Sequence, residues 1–293
     1  MNPTKKFVFS GHDSFQCRTY WPKKGFNYVQ AGKDLKADDA LIELGVGKNM
    51  VNSIFHWLKS FGIINKSEQT LNEFWVQIFD NKGFDPYLEK EGSLWLLHYY
   101  LLKTKYASLY HYFFNDFRKH KVEFSKSNVT DFIIKILEAK KFKAFTPNTL
   151  SRDVSILIKN YCYNNSKSQD IETDLASIFI DLNLIQKFNL IGSKEQFYRF
   201  NITERNEIPN DIFLFVILDI FEGESSIELH KLETDFNAPG FVFCMNRQGL
   251  ISKMEDLSKE YEDIIFKNDA GIITISFKNE FDKNDVLKSY YAK

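Results

Sequence analysis

Cysteine is scarce in this chain. Only Cys17, Cys162 and Cys244 occur in 293 residues, far apart and with no CxxC pair. That spacing argues against a disulfide framework and a thiolate zinc site, and a reducing, cytoplasmic setting is expected. Long hydrophobic runs are also missing. The most apolar stretch, 212–221, is too short to span a bilayer and contains Asp219, so no membrane partner is expected. The polar, basic N-terminus lacks the pattern of a secretory leader. No glycine-rich phosphate loop, HExxH motif or Ser-His-Asp arrangement can be traced. A standard nuclease signature is absent as well. Asp131 with Glu138-Ala139-Lys140 has suitable residue types, but it falls on an expected helix where the restriction-type motif needs strands.

What is present begins with aromatics, 16% of the chain and 29 of them Phe, enough to fill sizeable cores. The net charge of −1 conceals an asymmetry. Residues 1–66 carry ten Lys/Arg and five Asp/Glu, and residues 98–160 carry twelve and five. Residues 161–293 carry fourteen and twenty-three. Basic blocks followed by an acidic half suit an anionic ligand at one end and a different partner at the other.

The stretch 38–64 reads as a helix-turn-helix. Asp38 or Asp39 is expected to cap a short first helix, and Gly45-Val46-Gly47 supplies the turn. Val51, Ile54, Leu58 and Phe61 recur at helical spacing as a core stripe. Asn49, Asn52, Ser53, His56, Lys59 and Ser60 lie opposite, with Lys48 at the entrance. No Asp or Glu occurs from Gly45 to Ser67. A helix offering Lys and Asn without carboxylates suits a DNA major groove, and it equally suits an ordinary amphipathic surface helix.

In the first 25 residues aromatics alternate with cations. Phe7, Phe9 and Phe15 are expected to pin the terminus to the core, while Arg18, Lys23 and Lys24 are open as phosphate contacts. Gly11-His12-Asp13 is the candidate for chemistry, since an imidazole moves protons near neutral pH and a carboxylate can hold a divalent metal. The plain alternative makes the same residues a hydrogen-bonded turn that ties the terminus to the first domain.

Phe9-Ser10-Gly11-His12-Asp13-Ser14-Phe15, Trp21-Pro22-Lys23-Lys24-Gly25, Leu44 through Val51 with Trp57, and Asp85-Pro86-Tyr87-Leu88-Glu89 before Leu94-Trp95-Leu96-Leu97-His98 occur in that order. Together they resemble a prokaryotic domain-of-unknown-function family with the signatures F-x-G-H-[DE]-x-F and LGVGKNMV. That family is found in DNA phosphorothioation gene clusters and is associated with their SspB-type DNA nickase component. The resemblance implies DNA binding in modification and anti-phage defence, with strand nicking to admit sulfur insertion and Mg²⁺ or Mn²⁺ as cofactor. Implied partners are DNA, a cysteine desulfurase, an ATP-pyrophosphatase-like enzyme and an ATPase, with homo-oligomers left open. His12 and Asp13 are then the catalytic candidates. The motifs cover residues 9–98 only.

Further along, 71–80 reads as a helix ended by Gly83-Phe84-Asp85-Pro86. Ser93 is expected to cap an all-round apolar helix linking the two halves. Ser127 and Thr146-Pro147 are expected caps of a helix pair, 128–142 and 147–163, whose outward face carries Asn148, Arg152, Ser155 and Lys159. The polar run 164–169 is the expected linker. Beyond it come a short helix at 174–184, a strand near 196–202, a core helix at 212–221, an amphipathic helix at 246–262 and a strand at 271–277.

The expected fold is mainly α (α+β), with tandem helix-turn-helix or winged-helix-like units. A DNA-binding domain fills 1–165, with contacts from Arg18, Lys23, Lys24, Lys48, Asn49, Asn52, His56, Lys59, Arg152 and Lys159. An acidic domain for protein contacts fills 170–293. Rival readings are a non-catalytic adaptor that recruits modification enzymes and a transcriptional regulator.

Overall fold

Glycine 25 sets the first helix crossing. On helix α1 (Trp21–Gln30), a Cβ at this position would stand 2.7 Å from both Ile54 Cγ2 and Leu58 Cδ1. Only a bare backbone lets α1 approach the helix that carries those side chains. The computed structural model that shows this describes residues 7–37, 39–65, 67, 69–163 and 177–293. The expected linker 164–169, the start of the helix expected at 174–184, and Asp38 lie outside the described residues.

Two compact units divide the chain. The first comprises 1–89 and 100–200, the second 90–99 and 201–293. The sequence reading instead puts a boundary at 165–170. The difference has a topological cause: a hairpin beyond residue 180 completes a sheet begun at residue 123.

In the first unit, α2 (Ala40–Glu43) and α3 (Lys48–Ser60) flank Gly45, whose φ of +56° makes the turn. Asp39 precedes α2 without capping it through its side chain, and its carboxylate accepts from the Tyr28 hydroxyl instead. Val51, Ile54, Leu58 and Phe61 are all buried, so the periodicity placed that stripe correctly. The chain after α3 doubles back through a bridge between Ile64 and Leu71 into α4 (Glu73–Phe79), which Asn72 caps. Trp75 Nε1 donates to Phe61 O at 3.0 Å. Helix α5 (Glu91–Lys103), of which residues 91–99 belong to the second unit, begins two residues before Ser93, the expected cap.

Helix α6 (Ser108–Tyr112) runs through a π-helical stretch, Phe113–Phe117, into α7 (Arg118–His120). Strand β1 (Glu123–Ser125) then leads into α8 (Lys126–Ala139) and α9 (Pro147–Tyr161). Ser125 and Asn128 form the capping box of α8, so the cap lies two residues before Ser127. Thr146 caps α9 as expected. In the described part of 174–184 the only helix is the 3₁₀ turn Ile180–Leu182. Strands β2 (Ile185–Phe188) and β3 (Phe197–Phe200) complete an antiparallel sheet of order β1-β3-β2, with Phe124 opposite Tyr198 and Ile185 opposite Phe200.

The second unit repeats this order. Helix α10 (Asn210–Ile220) is followed by β4 (Ser226–Glu228), α11 (Leu229–Thr234), α12 (Pro239–Val242) and α13 (Arg247–Glu260). Strands β5 (Ile264–Asp269) and β6 (Ile272–Phe277) form a hairpin, and the sheet order is β4-β6-β5. Helix α14 (Lys283–Ala292) closes the unit. The fold is therefore α+β, mainly helical with two small antiparallel sheets. Each sheet pairs its first strand with its last, with the middle strand at the far edge. No helix among the described residues is long and apolar enough to cross a membrane.

Candidate functional site

The motif residues 10–14 form a tight turn under strain. Ser10, Asp13 and Ser14 all have positive φ, at 58°, 44° and 69°, a region that non-glycine residues rarely occupy. The turn is held by backbone bonds from Asp13 N to Ser10 O and from Phe15 N to His12 O. It is also gripped from α9. The carboxylate of Asp153 accepts from both the backbone N and the hydroxyl of Ser10, each at 2.8 Å. His12 Nε2 stands 3.4 Å from the same carboxylate. From the other side, Asn52 of α3 donates to Asp13 Oδ2 at 3.0 Å. The turn thus bridges the helix-turn-helix to α9.

Beneath it lies a small buried cluster of rings. His12 stacks on Trp57 with centroids 6.0 Å apart, and His56 meets both rings edge-on. His12, His56 and Asp153 are each at most 5% exposed and line one narrow cavity with Ser10 and Tyr110. Both nitrogens of His56, and Nδ1 of His12, are buried without a hydrogen-bond partner among the described residues. Burial, with smaller contributions from His12 and Lys59, pushes the His56 pKa down to about 3. His56 is therefore a neutral core imidazole.

The structure separates the expected contact residues into two sets. Lys48, Asn49 and Asn52 are exposed on α3, and Arg152 is exposed on α9. Lys24 is half-buried, as are Arg18, over the Trp21 ring, and Lys159. Lys59 is also half-buried, with its ammonium 4.0 Å from the Phe55 ring centre. His56 and Lys23 belong to the interior. Lys23 is 5% exposed and donates to Phe79 O and Asn81 Oδ1. Burial lowers its pKa, which Asp80 opposes. Ser53 and Ser60, expected on the outward face of α3, are fully buried too. Packing from both sides of α3 narrows its free face to fewer positions than periodicity suggests.

Sequence reasoning missed Asp153. Its neighbours Leu150, Val154 and Leu157 carry the helical core pattern, and nothing local marks the carboxylate between them as a ligand for the distant Ser10. Asp85 behaves as a turn residue, accepting from Glu89 N at 2.8 Å. Chemically the turn assembles a buried imidazole–carboxylate pair next to a half-exposed carboxylate, each already engaged by protein groups.

The fold is similar to two crystal structures of SspB. One, with bound magnesium ion, is 25% identical and covers 98% of this chain and 88% of its own, at a TM-score of 0.86. The other is 24% identical with the same coverage and a TM-score of 0.82. No curated protein matches the sequence significantly. A family model matches residues 9–291, nearly the whole chain, and the protein accordingly belongs to the family described as protein of unknown function (DUF4007).

Proposed function

We propose that this protein is a DNA-binding component of a DNA phosphorothioation system. The observation that carries the reading is the outer face of α3, where Lys48, Asn49 and Asn52 are exposed in a stretch without acidic residues. Ammonium and carboxamide groups are what phosphates and adenine edges accept. The surroundings favour it: the first unit holds 27 Lys/Arg against 20 Asp/Glu, a net +7. The likeness to SspB supplies the system.

We infer a winged-helix-like layout for the first unit, where β1, α8, α9 and the β2–β3 hairpin follow one another, with α9 equivalent to a recognition helix. In the second unit three helices, α11 to α13, stand between β4 and the hairpin, and α13 takes the equivalent place. The second unit, with 11 Lys/Arg against 19 Asp/Glu, suits protein contacts better than phosphate. We assign to it the docking of the desulfurase, ATP-pyrophosphatase-like or ATPase components. Fluorescence anisotropy of the full chain with labelled duplex DNA tests the reading. Lys48→Ala should weaken binding to all sequences, and Asn49→Ala should alter sequence preference. No binding by the intact chain at low salt would end the reading.

Strand nicking is the second reading, favoured by the likeness to a magnesium-bound SspB. The residues here do not fit a protein-built magnesium site. Among the described residues no three His, Cys, Asp or Glu side chains converge as metal ligands. Asp153 spends its oxygens on Ser10 and His12, and Asp13 engages Oδ2 with Asn52. No step is therefore routed through a metal at His12 and Asp13, and the non-catalytic adaptor is the form of the proposal that this geometry favours. Incubating supercoiled plasmid with the protein, in Mg²⁺, Mn²⁺ or EDTA, separates the two.

A further inference from the structure

The first unit contains a second cationic feature, apart from α3. Lys126 opens α8, Lys159 lies near the end of α9 and Lys187 lies on β2, yet all three line one narrow cleft with Tyr198 and Cys162. No acidic residue lines that cleft. Among the described residues no salt bridge reaches any of the three lysines. We propose that Lys126, Lys159, Lys187 and the Tyr198 hydroxyl form a binding site for a phosphate group. For a phosphate that belongs to DNA, the inference rests on the DNA-binding reading above.

Three observations carry it. First, like charges have been gathered at one cleft, with Lys126 and Lys159 half-buried and Lys187 exposed at its rim. Among the described residues the Lys126 ammonium has one partner, the neutral Ser155 hydroxyl at 3.3 Å. Its pKa is lowered by burial first, then by the charges of Lys159 and Lys187. Such a cluster is unfavourable alone and becomes favourable when an anion is shared among its members.

Second, Tyr198 is 6% exposed as a residue, and it lines the cleft beside the three lysines. A hydroxyl held there on a buried ring is a pre-positioned donor that an oxyanion in the cleft would accept from. Cys162 is already engaged, since its thiol donates to Ile185 O.

Third, the donor set matches the ligand. Three ammonium groups carried by three different elements and one hydroxyl suit the several oxygens of a tetrahedral phosphate better than the two of a carboxylate. The cleft also adjoins the outward stripe of α9, where Arg152, Ser155 and Lys159 follow one another at helical spacing. A backbone phosphodiester and a free phosphate offer the same chemistry.

Two probes on the full chain tell those sources apart: inorganic phosphate in a thermal melt, against sodium chloride at equal ionic strength, and labelled duplex DNA in a salt titration. Wild type should gain melting temperature from millimolar phosphate beyond the chloride control. The triple variant Lys126→Gln, Lys159→Gln, Lys187→Gln should lose that gain. Its duplex affinity should fall about tenfold or more at low salt, with the salt slope reduced by about one for each lysine that meets a phosphate. Loss of the phosphate response alone identifies a free phosphate; loss of duplex affinity alone identifies the DNA backbone.

Tyr198→Phe removes only the hydroxyl and should reproduce part of each effect, deciding the matter should the triple variant fold poorly. Unchanged phosphate response and unchanged duplex affinity in these variants would overturn the site. A wild type that binds no duplex would defeat the functional reading, and the phosphate melt would still judge the cleft.

Discussion

Gly11 lies flat against the imidazole of His56, so close that a Cβ on residue 11 would stand 2.3 Å from His56 Nδ1. The ring cannot retreat easily, because it is buried between Trp57, His12 and Tyr106. Gly11→Ala should therefore destabilise the protein by about 1–3 kcal/mol, the usual cost of overpacking a tight interior. Combining it with His56→Ala should recover part of the loss, a coupling that a double-mutant cycle of denaturation midpoints would measure. Strict additivity would mean that this contact is not what fixes residue 11 as glycine.

Acid stability follows from two buried histidines, one in each unit. His56 and His98 both have pKa values lowered from 6.5 to about 3, chiefly by burial. His98 is also bonded through Nε2 to Val242 O. The unfolded chain therefore binds more protons than the folded one between pH about 6.5 and about 3. Stability is complete above that window and is lost as pH falls through it, by about 1.4 kcal/mol per pH unit for each histidine. Denaturation midpoints between pH 7.5 and 5.5 should decline for wild type and decline less for His56→Phe or His98→Gln. A flat wild-type profile over that range would refute the assignment.

The α3 stripe was legible because Val51, Ile54, Leu58 and Phe61 repeat at the helical period, a purely local signal. So were the Thr146-Pro147 start of α9 and the final strand. What stayed hidden depends on distant partners. Strand β1 is three residues long and exists because it pairs with β3 far along the chain, so it left no pattern to read. Without that strand the cap falls naturally on Ser127, and the unit reads as ending near residue 165. The burial of Lys23 and His56 was hidden for the same reason. Their helical faces look polar, but the loop after α4 covers one and the residue 10–14 turn covers the other. Asp153 is the counterpart: its partner Ser10 comes from the opposite end of the unit.

Lys23 and Lys48 should respond in opposite ways to removal. Lys23 is buried against Phe79 O and Asn81, so Lys23→Ala should lower the melting temperature by several degrees. The salt slope of DNA binding should stay unchanged, because this ammonium meets no phosphate. Lys48 is exposed at the start of α3. Lys48→Ala should leave the melting temperature nearly unchanged and reduce the salt slope by about one. A normal melt for Lys23→Ala with weakened, salt-flattened binding would contradict the buried placement.

The last prediction concerns His12 and Asp13 and asks whether their turn acts chemically or holds the fold together. Asp153 grips Ser10 and faces His12, Asn52 holds Asp13, and the His12 ring is stacked on Trp57. Each contact joins the turn to α9 or α3, and the imidazole is only 4% exposed, which leaves little room for a scissile phosphate. A tether predicts that His12→Ala and Asp153→Ala each destabilise by about 1–3 kcal/mol, because a buried polar partner is left unpaired. DNA affinity should then fall together with folding. If the preparation nicks supercoiled plasmid, a tether also predicts that Asp13→Asn keeps most of that activity, since the carboxamide oxygen still accepts from Asn52. A catalytic carboxylate predicts the reverse: Asp13→Asn would keep the melting temperature and duplex affinity of wild type while losing metal-dependent nicking. Plasmid nicking and thermal melts on the same Asp13→Asn sample decide between the accounts, and selective loss of nicking would return this turn to the active site.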